Sequence, residues 1–189
     1  MKEKVSFDKT FMLAPVPVVL VACTHEELGR NLLTIAWCGV DCSDPPTIHV
    51  SVRPSRHSYR MIRESECFTV NIPTKNLLRE VDLCGTVSGK FGDKFERSGL
   101  TPMPGTEVAA PIVAECPINL ECRVREVIEL GLHHMFIGEI VAKHADPDVL
   151  KDGDLDFHRI PLISYVHGEY WSLGERIGMY GFSRECAEK

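Results

Sequence analysis

Ser51, Arg53, Ser55, Arg56 and Ser58 fall within eight residues and are the side chains a bound phosphate would need. Alternation over Thr47 to Val52 predicts a strand, and Ser55 is placed to cap a helix running to about Ser65. Hydroxyls and guanidiniums therefore gather where a strand hands over to a helix. N–H groups at a helix start, one hydroxyl and one guanidinium together neutralise a phosphate monoester. The same residues also read as an ordinary helix start with solvated arginines.

Three further groups could take part in chemistry. The segment CGTVSGKFGDKF brings Cys84, Gly85, Ser88, Gly89 and Lys90 together. Its glycines allow close backbone approach to a ligand, but it matches neither the Walker pattern nor the dinucleotide fingerprint, and it reads also as a surface turn. His133 and His134 are adjacent in an expected strand, so they point to opposite faces: one toward a cavity, the other toward a neighbour or solvent. Trp37 ends a strand that starts near Asn31 and carries Thr34 and Ala36. Its indole could pack on a flat cofactor ring or simply in the core.

Metal and nucleophile chemistry are not encoded in a readable way. The eight cysteines stand at 23, 38, 42, 67, 84, 116, 122 and 186. The nearest pair, Cys38 and Cys42, is spaced C-x3-C, and the second close pair that structural zinc needs is missing. No Ser–His–Asp or HExxH arrangement stands out.

The elements that must position these residues follow from patterning. Val16 to Ala22 is a β-branched run between prolines and a polar turn, read as a buried strand. Leu32 to Cys38 is the next strand, ended by the breaker Asp41 to Pro46. Phe68 to Ile72 is a strand, Lys75 to Cys84 a helix, and Asp93 to Arg97 a short helix. The proline-rich stretch 102 to 117 reads as a wrapped loop. Asn119 to Ile128 alternates, with Leu120, Cys122 and Val124 on one face and Glu121, Arg123 and Arg125 on the other. It pairs with 133 to 143 as a hairpin, and PLISYVHGEYWSLG reads as a second hairpin turning at His167-Gly168. No helix separates Thr34 from Val52, which excludes a parallel crossover there. The expectation is a mainly β fold, an antiparallel barrel with a few short helices.

Composition sets the outer bounds. A chain of 189 residues, 44% hydrophobic and 25% charged, is one globular domain on length. A net charge of −6 argues against a nucleic-acid partner, although residues 53 to 63 hold four arginines, Arg53, Arg56, Arg60 and Arg63. The longest apolar run, Phe11 to Cys23, is interrupted by Pro15 and Pro17 and falls short of the ~20 residues of a membrane span. Residues 1 to 10 read as an exposed lead-in and mix acids with bases, unlike a secretory signal. The expected location is the cytoplasm, with mostly free thiols.

Taken together and in order, PVPVVLVAC, NLLTIAW, DPPTIHVSVRPSRHSYRMI, FTVNIP, CGTVSGKFGDKF, HHMFIGEIV and PLISYVHGEYWSLG resemble the flavin reductase-like family, in its flavoredoxin and archaeal ferric reductase type. The likeness spans about residues 13 to 176. It implies a single domain over 1–189: a six-stranded antiparallel split barrel of Greek-key type that forms a homodimer and binds FMN. Carried over, Asn31, Thr34, Ala36 and Trp37 lie along the flavin ring, and Ser51, Val52, Arg53 and Ser58 take the phosphate. Cys84, Gly85, Ser88, Gly89 and Lys90 close over the phosphate side, and His134 sits by the cofactor or its partner substrate. The implied activity moves electrons from NAD(P)H through FMN to an acceptor such as free flavin or ferric iron. The alternative is a flavoredoxin-like electron carrier fed by a redox protein. Residues 102 to 117 and the C-terminal MYGFSRECAEK match nothing in the family pattern.

Overall fold

A computed structural model describes residues 3–7 and 13–186. Residues 3–7 of the expected lead-in are exposed; the rest of it lies outside the described residues, as do the first two residues of the apolar run from Phe11 and the last three of the chain. The chain runs through β1 (Val16–Pro17), β2 (Val19–His25), β3 (Gly29–Ile35), β4 (Cys38–Ser43), β5 (Pro46–Val52), α1 (His57–Ser65) and β6 (Cys67–Ile72). After α2 (Leu78–Thr86) and α3 (Lys94–Ser98) come β7 (Pro102–Met103), β8 (Ile112–Val113), and the long hairpin β9 (Ile118–Glu129) and β10 (His134–Ala145). β11 (Leu150–Lys151), β12 (Asp154–Leu155), β13 (Ile163–Val166) and β14 (Glu169–Ser172) complete the strands.

Every strand pairing is antiparallel. The main sheet has the order β3-β2-β6-β9-β10-β5-β4 and holds seven strands. The mainly β split-barrel class is as expected, but the strand count is one higher than six. The extra strand is β4. The expected strand Leu32 to Cys38 bends at Ala36-Trp37, and the chain resumes pairing from Cys38 to Ser43. The breaker shrinks to Asp44-Pro45, since Ser43 pairs with Pro46 across a two-residue turn.

Alternation along the strands builds the interior. Ile48, Val50 and Val52 of β5 are buried, and they meet Val19, Val21, Phe68, Cys122 and Phe136 from across the sheet. Met61 and Ile62 of α1 close the same core. Gly138 of β10 makes room for the Phe68 ring: a Cβ there would lie 2.6 Å from Phe68 Cζ. A second cluster packs α2 and α3 on the other side of β2, through Val81, Cys84 and Phe95 against Leu20 and Leu32.

The proline-rich stretch does wrap, and two buried polar groups hold it. Asn71 Oδ1 accepts from Val113 N at 2.9 Å and from Asn119 Nδ2 at 2.8 Å. Glu121, expected on the outward face of β9, is instead fully buried. Its carboxylate accepts from the amides of Thr106, Glu107 and Val108, each at 2.8 Å, and meets His144 Nε2 at 2.6 Å. A Cβ at Gly105 would stand 2.5 Å from Glu121 Oε2, so the glycine lets the loop close over the acid. No helix among the described residues is long and apolar enough to cross a membrane.

Candidate functional site

The bend that splits the expected strand builds the site. At Ala36-Trp37 the chain leaves β3, and Ser51 N donates to Trp37 O at 2.8 Å, holding the bend against β5. A cleft of about 750 Å³ opens there, within the range of pockets that enclose a cofactor-sized ligand. Seven expected site residues line it: Thr34, Ala36, Trp37, Ser51, Val52, Arg53 and Gly85. Thr34 is fixed by donating to Val81 O at 2.5 Å, and a Cβ on Gly85 would touch Thr34 at 3.3 Å.

One wall is aromatic. His133 lies nearly parallel to Trp37, 8° between planes and 6.1 Å between centroids, and Tyr165 tilts against the same indole at 6.4 Å. Arg53 Nε donates to His133 Nε2 at 3.2 Å. Burial, with Arg53 and Arg56 beside it, pulls His133 below the usual histidine pKa, so a neutral ring accepts that bond.

Of the two adjacent histidines, His133 faces the cleft and His134 does not. His133 precedes β10 and is free to turn over Trp37. His134, the first residue of β10, meets Tyr59 Oη at 2.8 Å, and its ring packs edge-on against Tyr59 at 5.3 Å. The expected split between a cavity and a neighbour holds, with His134, expected by the cofactor or its partner substrate, on the neighbour's side and off the cleft lining.

Next to this wall the cleft is polar and basic. α1 begins one residue later than Ser55 predicts: Arg56 is the N-cap, no side chain caps the helix, and its first turn has no acid. First-turn N–H groups of an uncapped helix attract an anion. Arg56 joins Arg53 on the cleft wall. Behind them lies a buried polar cluster. Asn31 and Ser58 are 2% and 1% exposed, joined by a 2.7 Å bond from Asn31 Nδ2 to Ser58 Oγ. Asn31 Oδ1 is buried with no hydrogen-bond partner among the described residues. Turning the amide over lets its oxygen accept from the Ser58 hydroxyl and leaves the NH₂ facing Gly89.

Cys84, Ser88, Gly89 and Lys90 do not line the cleft; they sit behind this end. Cys84 is fully buried within α2, and burial pushes its thiol up to about 11, so it is no thiolate. Ser88 Oγ accepts from Lys90 N at 3.3 Å and starts a short 3₁₀ turn at Gly89. Gly89 passes so close that a Cβ would fall 2.5 Å from Asn31 Oδ1. The loop thus covers Asn31, and only glycine fits.

Sequence reading missed Lys94. It is 2% exposed, donates to Cys84 O at 2.6 Å, and burial pulls its pKa down to about 8. A lysine in the first turn of a short helix looks like a surface residue; its burial follows from α3 docking on β3. Asp82, Thr86, Leu132, Gly168, Tyr165 and Tyr170 also line the cleft, and no local pattern marks them for it. Tyr170 Oη donates to Asp82 Oδ1 at 3.2 Å, tying the β13–β14 hairpin to α2 across the cleft. That hairpin turns at His167-Gly168, as expected, with positive φ at both residues.

These features fit a ligand that carries a flat ring and a phosphate: Trp37 and His133 offer ring surface, and Arg53, Arg56 and the uncapped start of α1 offer positive charge and N–H donors. Among the described residues, no group of three or more His, Cys, Asp or Glu could hold a metal ion.

A family model for the flavin reductase like domain matches residues 11–173, and the chain belongs to that family. Flavoredoxin of Desulfovibrio vulgaris (Miyazaki F) is 35% identical, with a TM-score of 0.87 over 98% of this chain and all of that one. Flavoredoxin from Methanosarcina acetivorans is 29% identical, with a TM-score of 0.91 over 98% of this chain and all of that one. A protein of Archaeoglobus fulgidus is 36% identical over 77% of this chain and 81% of its own length.

Proposed function

We propose that the cleft holds FMN and that the protein is an FMN-dependent oxidoreductase. The observation that carries this reading is the pairing of a stacked Trp37–His133 wall with Arg53, Arg56 and the uncapped start of α1, in one cleft of about 750 Å³. Ser51, Arg53, Arg56 and the α1 start bind the phosphate, with Asn31, Ser58 and Lys94 behind it. Cys84, Gly85, Ser88, Gly89 and Lys90 form the backbone wall that closes this end. Thr34, Ala36 and Trp37 lie along the ring, and Val52 supplies part of the floor. His133, held by Arg53, takes the cofactor-facing role expected of His134. FMN when bound supplies hydride and electron chemistry at its ring; the protein supplies binding, orientation and access.

In the leading reading, NAD(P)H is the donor and free flavin or ferric iron the acceptor, in a cytoplasmic homodimer. The second reading, an electron carrier fed by a redox protein, is favoured by the full-length likeness to two flavoredoxins. The purified protein should be yellow, or take up FMN on titration; no flavin absorbance and no uptake would sink both readings. With FMN bound, anaerobic NADH or NADPH should bleach the flavin rapidly if the protein is a reductase. Failure with both, together with bleaching by a reduced redox protein, selects the carrier.

A further inference from the structure

Beside the cleft lies a smaller chamber of about 220 Å³. Trp37, Ser51 and Tyr165 line both spaces and stand as the partition between them. The chamber's own walls include Val16, Cys38 and His49. His49 lies on β5 between Ile48 and Val50, which are buried in the core, so its ring points to the opposite face, as does Ser51.

Two residues of β4 set that ring. Asp41 Oδ1 lies 2.6 Å from His49 Nδ1. A carboxylate only accepts, so Nδ1 carries the hydrogen, and in the neutral imidazole Nε2 keeps its lone pair. Gly39 pairs with His49 across the strands, and a Cβ there would fall 2.9 Å from His49 Cε1. Glycine therefore lets the imidazole lie flat on β4. The result is an oriented acceptor in a chamber whose other walls are mainly rings and aliphatic groups, with the Ser51 hydroxyl, the Cys38 thiol and the His167 ring as further polar groups, and the FMN reading does not use His49.

Size limits the occupant. A cavity of about 150 Å³ holds one benzene, so 220 Å³ takes one ring with a substituent, and it lies below the range for larger ligands. An acceptor nitrogen selects a hydroxyl over a carbonyl. We propose that this chamber is a second binding site, for a monocyclic phenol whose ring packs on Trp37 and Tyr165 and whose hydroxyl donates to His49 Nε2.

The test is calorimetric titration of the full chain with 4-methylphenol, and with 4-methylanisole, which has the same ring but no hydroxyl donor. The titrations are run at about pH 8, where the phenol is neutral. One saturable site per chain is expected for 4-methylphenol, at least tenfold tighter than for 4-methylanisole, and unchanged by saturating FMN. His49→Phe keeps a flat ring on Gly39 and removes Nε2; it should cost 4-methylphenol at least tenfold and leave 4-methylanisole as it was. Equal affinity for the two probes, no saturable binding, or displacement by FMN would overturn the proposal. So would a folded His49→Phe variant that binds 4-methylphenol normally. If that variant does not fold, the probe pair on the unaltered protein decides alone.

Discussion

Lys94 shows most directly how burial creates function. Its ammonium is held at about 8 by burial first, with Arg56 and Arg97 pressing the same way and Cys84 and Cys23 opposing. An anion bound nearby favours the charged form, so FMN affinity should be greatest below about pH 8 and fall as pH rises through it. The sign for folding is opposite. A lysine whose folded value lies below its unfolded 10.5 makes the FMN-free protein more stable as pH rises from about 8 toward 10.5. Fluorescence titration with FMN across that range checks the first; Lys94→Met should weaken binding about tenfold or more and flatten the pH profile. Gly89→Ala tests the cover over Asn31. The added Cβ would stand 2.5 Å from Asn31 Oδ1. The expected outcome is weaker FMN binding, read by the same titration, and a lower melting temperature, because the loop or the buried amide must shift to admit the Cβ.

Among the elements, β9 departs furthest from its pattern. Alternation puts Glu121 on the outward face, and it does point away from the barrel core. The proline-rich loop then folds over that face and buries it. Burial alone would raise the Glu121 pKa, but the amides of Thr106, Glu107 and Val108 with His144 outweigh it and hold it down at about 2. The stabilisation is full above the ordinary glutamate value of 4.5 and is lost as pH falls from there toward about 2. Acid denaturation should therefore steepen across that window. Glu121→Ala leaves three part-buried amides and His144 without their acceptor and should cost about 1–3 kcal/mol. Denaturant melts measure the loss, and hydrogen exchange should speed first at Thr106, Glu107 and Val108. The β4 strand is the other departure. Its breaker residues do turn the chain, but in two residues rather than six, because pairing with β5 extends to Ser43 and Pro46.

For the molecule as a whole, the cleft depends on four separate parts of the chain: the β3 bend, the β5–α1 junction, the His133 turn and the β13–β14 hairpin tied to α2. A ligand that spans them should stabilise all four at once. FMN at 100 times its dissociation constant should add about 2.7 kcal/mol to folding and raise the melting temperature with FMN concentration. A shift equally large with riboflavin, which lacks the phosphate, would remove the basic end from the site.

Local patterning was enough to read the β-rich class, both hairpins, the extents of α1 and α3, and the residues of the β3 and β5–α1 segments, because period-2 burial and turn chemistry are local properties. Seven of the cleft residues, Thr34, Ala36, Trp37, Ser51, Val52, Arg53 and Gly85, were implied by the family resemblance, which rests on motif order along the chain. The choice between His133 and His134, the burial of Lys94 and Glu121, the bend at Trp37 and the seventh strand were not legible. Each depends on a neighbour distant in the chain: Trp37 for His133, Tyr59 for His134, β3 for α3, the 105–108 loop for Glu121. Burial and orientation are set by what packs on a residue from elsewhere, and spacing along the chain carries no record of that.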